Sequence, residues 1–191
     1  MKEGGFSLLE LLVALFVVVI IASLVSLTVN SGGQDIELEA RARSLADISS
    51  YALDEAQMRG VDMGLLIEQV NEEGDELYRY GWRERMPEGW RRPVVDAEIF
   101  SDQQFPPGIE LAMELETTLV EDMGAGELNA EGEVAEIVPQ IVFYSSGEMT
   151  AGFIELRQRS SGDLLWRIEW DLLGRFALLR RGEVPADDED E

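Results

Sequence analysis

The hydrophobic positions fall into three regimes along the chain, and each predicts a different element. From Leu11 to Val29 a run of roughly 19 residues carries no charge, close to the ~20 apolar residues a helix needs to cross a bilayer. Only Lys2 and Glu3 are charged before it, and Glu10 lies within its first turns. After Asn30-Ser31-Gly32-Gly33 the pattern becomes a stripe. Leu38, Ala42, Leu45, Ile48 or Ser49, Ala52 and Ala56 recur at spacings of three and four, with Arg41, Arg43, Asp47, Asp54 and Glu55 mostly on the other faces. That is an amphipathic helix, with Gly60 suited to cap its C-terminus. If the two segments run through the glycines, one helix from Phe6 to Arg59 spans roughly 80 Å at ~1.5 Å per residue.

Beyond Gly60 the period drops to two. Ile109, Leu111, Met113 and Leu115 alternate with Glu110, Ala112, Glu114 and Glu116, which predicts a strand with one wet face. Gly64 to Val70, Leu77 to Trp82, Gln140 to Tyr144, Phe153 to Gln158, Leu164 to Trp170 and Arg175 to Leu179 read as further strands. Asn71 to Asp75, Ser145 to Glu148 and Ser160 to Asp163 carry turn residues between them. Helices do not alternate with these strands, so a parallel sheet is not predicted.

Composition narrows the function classes. The 191 residues leave about 160 outside the apolar run, enough for one domain with a core. The chain has 39 acidic and 15 basic residues, a net charge of −24, which disfavours polyanionic partners such as nucleic acid. It has neither cysteine nor histidine, so disulfides, thiolate metal sites and the usual general base are excluded. No nucleophile elbow, Walker loop or dinucleotide-binding glycine pattern occurs, and none of the many glutamates is singled out as an acid–base couple. An enzyme is not expected, and neither is a cofactor or a metal.

The N-terminal order Gly5-Phe6-Ser7-Leu8-Leu9-Glu10-Leu11, running into a membrane-length segment, resembles the type IV pilin-like leader. The resemblance implies that a prepilin peptidase cuts between Gly5 and Phe6 and methylates the new amine of Phe6. It also implies that Glu10 serves subunit assembly by pairing with the N-terminal amine of a neighbour. The physics is coherent, because a free α-amine is mostly charged at neutral pH and a subunit out of register would leave a charge unpaired. Glu10 alternatively caps its own helix at the positive end of the dipole. A plain signal anchor with a Gly-Gly turn is the other reading of this stretch. A secretory signal peptide fits less well, since the apolar run exceeds the usual ~7–15 residues.

Two later stretches are similar to the type II secretion minor pseudopilin H family. One is Asp54-Glu55-Ala56, Arg59-Gly60 and Gly64-Leu65; the other is Pro139 to Thr150, containing Ser145-Ser146-Gly147-Glu148. Where the family continues with Pro-Phe, this chain has Ala151-Gly152-Phe153. The resemblance covers both ends well and 83–136 poorly. It implies an α+β, pilin-like fold in which a long N-terminal helix, transmembrane then amphipathic, packs on an antiparallel β-sheet or sandwich. The expected organisation is a leader at 1–5, a transmembrane and assembly helix at 6–29, its amphipathic continuation at 30–60, a periplasmic β domain at 61–181 and an acidic tail at 182–191. The expected location is the inner membrane, single-pass, with the C-terminal domain in the periplasm.

The implied function is that of a structural subunit of the pseudopilus tip, helping to export folded proteins. Its implied partners are the other minor pseudopilins, the major pseudopilin, the prepilin peptidase and inner-membrane lipid before assembly, with no nucleic acid. A minor pilin of a type IV pilus or DNA-uptake system shares the leader, and a signal-anchored periplasmic binding domain is the alternative from another class. Tyr78-Arg79-Tyr80-Gly81-Trp82-Arg83 to Trp90-Arg91-Arg92 interleaves cations and rings. That pattern admits base stacking, a protein-partner surface or ordinary strand packing. The acidic stretches 121–136 and 187–191 lack calcium-loop spacing and read as solvated.

Overall fold

The structure, a computed structural model, describes residues 8–72, 74–116, 118–120 and 138–183, with the backbone alone at 22–34 and 118–120. Helix α1 runs Leu8–Arg59, so its backbone continues through Gly32-Gly33. The chain divides into two compact units, Met1–Leu38 and Glu39–Glu191. In the first, the described side chains from Leu8 to Ile21 are all exposed.

Among the described residues no helix is long and apolar enough to cross a membrane. This corrects the expectation of a transmembrane helix over 6–29, and with it the single-pass placement in the inner membrane. The described part of that segment carries Glu10 in the first turn of the helix, and a carboxylate inside an apolar span is costly to bury in lipid.

In the second unit α1 buries Ala42, Leu45, Ala46, Ser49, Ala52, Leu53 and Ala56. Four of these are alanines, and small side chains at one-turn spacing let the helix lie close on whatever it covers. The helix stops at Gly60, whose φ of 65° is the left-handed conformation that needs no Cβ. The amide of Val61 then donates to the carbonyl of Ala56 at 3.2 Å, the bond that closes a Schellman cap.

Among the described residues ten strands follow, every pair antiparallel. They are β1 (Met63–Glu72), β2 (Asp75–Met86), β3 (Gly89–Arg91), β4 (Gln103–Gln104), β5 (Ile109–Leu115), β6 (Thr118–Val120), β7 (Ile141–Phe143), β8 (Gly152–Gln158), β9 (Leu164–Trp170) and β10 (Phe176–Arg180). One sheet has the order β3-β2-β1-β7, with β4 also pairing with β2; the other has the order β10-β9-β8-β5-β6. The hairpin β1–β2 is in register from Met63 opposite Glu84 to Glu72 opposite Asp75.

The period-two reading of β5 holds residue by residue: Ile109, Leu111, Met113 and Leu115 are buried, while the residues between them are exposed. Strand β2 runs four residues past the predicted end at Trp82, because Arg83 and Glu84 find partners that make their burial tolerable. Leu45, Leu65, Ile141, Ile154, Ile168 and Phe176 are among the residues around a residual cavity of about 10 Å³. That space holds no more than about one water, so no ligand belongs there.

Candidate functional site

Gly5 and Phe6, the expected cleavage and methylation positions, lie outside the described residues. Glu10 is in the first turn of α1 and exposed, with Leu8, Leu9, Leu11 and Leu12 exposed around it. A carboxylate in the first turn is favoured by the helix dipole. The surrounding leucines form an apolar surface that needs another surface or lipid to cover it.

The two stretches that carry the family resemblance meet at the other end of α1. Arg59 bridges two buried carboxylates: its Nη2 donates to Glu84 Oε2 at 2.8 Å, and its Nε lies 3.6 Å from Glu55 Oε1. Glu84, with 1% of its side chain exposed, takes a second cation from β3, Arg91 Nε at 3.2 Å. One turn further on, Asp62 accepts both the amide and the hydroxyl of Ser145, at 2.9 and 3.0 Å. Gly147, at φ 95°, sits against Gln57 so closely that a Cβ would come within 3.1 Å of its amide oxygen. The Ser-Ser-Gly-Glu turn is thus seated on the helix end. Glu84 and Asp62 complete this constellation with no mark in their local sequence, and Arg91, visible in the sequence only as one of the Arg-aromatic cluster, reaches Glu84 through the pairing of β3 with β2.

The Arg-aromatic segment separates into an inside and an outside. Tyr78, Tyr80 and Trp82 are buried in the core, where they cannot offer ring faces to a nucleic acid. Burial pushes the Tyr80 hydroxyl up to about 12, opposed by the nearby Arg41 charge. Burial also lowers Arg83 from the ordinary guanidinium value, with Asp102 acting in the opposite direction. Arg83 Nη1 donates to the Trp82 carbonyl at 2.8 Å. Arg92 pairs with Asp102, and Arg85 lies over the Trp90 ring at 5.5 Å. Most of these cations therefore already have an anionic or ring partner in the chain.

Among the described residues no group of three His, Cys, Asp or Glu side chains is placed to hold a metal. Acidic residues 121–136 and the tail at 187–191 lie outside the described residues. What the geometry offers is a helix end held by ion pairs, two antiparallel sheets and exposed apolar surface, which suit an assembling structural subunit.

A helix with a glutamate in its first turn, followed by a helix-covered antiparallel β domain, defines a pilin-like subunit. The chain belongs to the family described as type II transport protein GspH, which matches residues 41–174. The prokaryotic N-terminal methylation motif matches residues 1–26. The chain is 26% identical over 183 residues to the type II secretion system protein H of Aeromonas hydrophila, spanning 95% of this chain and 96% of that one. Two crystal or solved structures of the minor pseudopilin EpsH from the type II secretion system of Vibrio cholerae share its fold. Their TM-scores are 0.59 and 0.55, at 23% and 21% identity, covering 78% and 77% of this chain and 98% and 99% of theirs. Membership of this family makes the protein a structural component of type II secretion and not an enzyme.

Proposed function

We propose that the chain works as a minor pseudopilin that is cut between Gly5 and Phe6, methylated on the Phe6 amine, and built into a pseudopilus through Glu10. The observation that carries this reading is the methylation motif over 1–26 joined, in one chain, to the GspH match over 41–174. Its partners in this reading are the other minor pseudopilins, the major pseudopilin and the prepilin peptidase. Glu10 acts as a register device. A carboxylate within an apolar helix surface is tolerable in a packed bundle only opposite a cation, and the methylated amine of a neighbour supplies one. Nucleic acid has no role, since the net charge is −24 and the aromatic side chains of β2 are turned inward.

Intact-mass measurement on the chain from cells with its peptidase tests the first half. The expected mass lacks Met1 to Gly5 and carries one added methyl; an uncut N-terminus overturns the proposal. In the same cells Glu10→Ala is expected to be cut and methylated normally, while its recovery with the other pseudopilins falls at least tenfold. Undiminished recovery would remove the assembly role from Glu10 without touching the processing.

A further inference from the structure

The loop at 92–102, between β3 and β4, presents Val94, Val95 and Ile99 to solvent, at 73%, 47% and 43% exposure. It is braced from beneath. Phe100 is buried, stacks at 5.7 Å on Tyr51 of α1 and lies 5.5 Å from the Trp82 ring. Asp96 adopts φ 52°, the one positive value among the described non-glycine residues. Its carbonyl accepts the amides of Ile99 at 2.9 Å and Phe100 at 3.1 Å, and its Oδ2 accepts the Tyr51 hydroxyl at 2.8 Å. A non-glycine residue stays in the left-handed region only where its surroundings hold it there. Three exposed apolar side chains on a loop held this firmly form a patch that loses little entropy on docking.

The rim of the patch is acidic. Asp47 and Asp54 are exposed, one turn to either side of Tyr51 on the same face of α1, and Glu98 is exposed in the loop itself. None of these three carboxylates has an ion-pair partner among the described residues. The cations of the chain, by contrast, are already engaged. Its one lysine, Lys2, precedes the expected cut, and every arginine has a partner within the chain. Most lie beside a carboxylate, Arg41 donates to Gln103, and Arg85 and Arg180 lie over the Trp90 and Trp166 rings. A second copy therefore brings no free cation to this rim, and the rim repels a nucleic acid or an anionic bilayer. The surface that fits is a protein with an apolar centre ringed by lysine or arginine.

We infer that another pseudopilin with such a surface docks its globular domain on Val94, Val95 and Ile99, its cations meeting Asp47, Asp54 and Glu98. The apolar centre supplies the burial, and the charges set the orientation and turn away wrong partners. The inference rests on the pseudopilin reading above and adds to it a contact of the β domain, distinct from the pairing of Glu10.

A chain with no native cysteine and no lysine past Lys2 makes the test direct. Full-length chain in detergent, carrying Val95→Cys with a short maleimide–succinimidyl ester on that thiol, is mixed with each purified pseudopilin of its own system. The ester couples to lysine, so the products report the partner. One pseudopilin is expected to couple about fivefold more through Val95→Cys than through Ser161→Cys, in the exposed turn between β8 and β9. Its affinity for the unlabelled chain should fall about tenfold with Val94→Asp plus Ile99→Asp, and about tenfold with Asp47→Arg plus Asp54→Arg. Thermal unfolding should not change, since all four side chains are exposed. Raising salt from about 50 to about 500 mM should weaken binding several-fold. Coupling no stronger than through Ser161→Cys, affinity indifferent to these substitutions, or binding of the patch to its own copies or to anionic phospholipid vesicles instead would each overturn the inference. An uncut N-terminus overturns the pseudopilin reading and this inference with it. Normal processing and Glu10-dependent recovery beside an inert patch overturn this inference alone.

Discussion

Arg59→Leu is expected to destabilise the folded domain by about 3 kcal/mol, at the lower end of the ~3–5 kcal/mol for breaking a buried ion pair. The substitution keeps the apolar stem and removes the charge. It leaves Glu84, 1% exposed, with Arg91 alone, and Glu55, 7% exposed, without its cation. Arg91 is half-exposed and bonds through one nitrogen, which is why the loss falls at the lower end. Arg59→Lys should cost less, about 1–2 kcal/mol, because a point charge cannot bridge two carboxylates as a planar fork does. Urea denaturation followed by tryptophan fluorescence measures both. The decisive control is Arg59→Leu with Glu84→Leu, which should recover more than half the loss, since an apolar pair replaces a salt bridge at little cost. A single-mutant effect under about 1 kcal/mol would show that Arg59 merely decorates the helix end.

That network also shows where sequence reading stops. The helix stripe was legible because burial by a flat partner imposes a three-four spacing on any amphipathic helix. Ala42, Leu45, Ala52 and Ala56 are indeed buried. The alternation of β5 was legible for the corresponding reason in strands. Glu84 was not, because a buried glutamate has the same letter as an exposed one and its partners lie 25 residues back and seven ahead. The short strands β3, β4 and β6 were missed because two or three residues carry too little pattern to register a period.

The apolar run at the N-terminus was legible in a different and less reliable way. Composition across 11–29 suggested a bilayer crossing, whereas no described helix is long and apolar enough for one. The same apolar leucines serve lipid or a neighbouring helix equally well, so hydropathy by itself cannot separate the two. Of the candidate site, Glu10 was visible as an anomaly, a charge in an apolar segment. The seat formed by Gln57, Asp62, Ser145 and Gly147 was visible solely through the resemblance of its separate stretches.

Trp82→Ala is expected to cost about 4–5 kcal/mol, toward the top of the range for aromatic truncation and a large share of the ~5–15 kcal/mol that holds a domain together. Trp82 is fully buried on β2, opposite Leu65 of β1. Its ring lies 5.5 Å from Phe100 and 5.6 Å from Phe143, and Phe100 stacks at 5.7 Å on Tyr51 of α1. One side chain therefore joins the helix-facing loop to the strand that leads into the Ser-Ser-Gly-Glu turn. Trp82→Phe should cost only about 1–2 kcal/mol, because it keeps the ring contacts. The indole N–H has no protein acceptor among the described residues, so no hydrogen bond is lost with it. Thermal unfolding and near-ultraviolet circular dichroism distinguish the two, and equal damage from both would sink the packing account. The functional consequence separates the two halves of the protein. In the proposed function cleavage between Gly5 and Phe6 depends on the leader, so a Trp82→Ala chain should still be cut and methylated in cells. Its recovery with its partners should then fall, because a destabilised β domain is unfolded, and without the surface it offers them, for a larger share of the time.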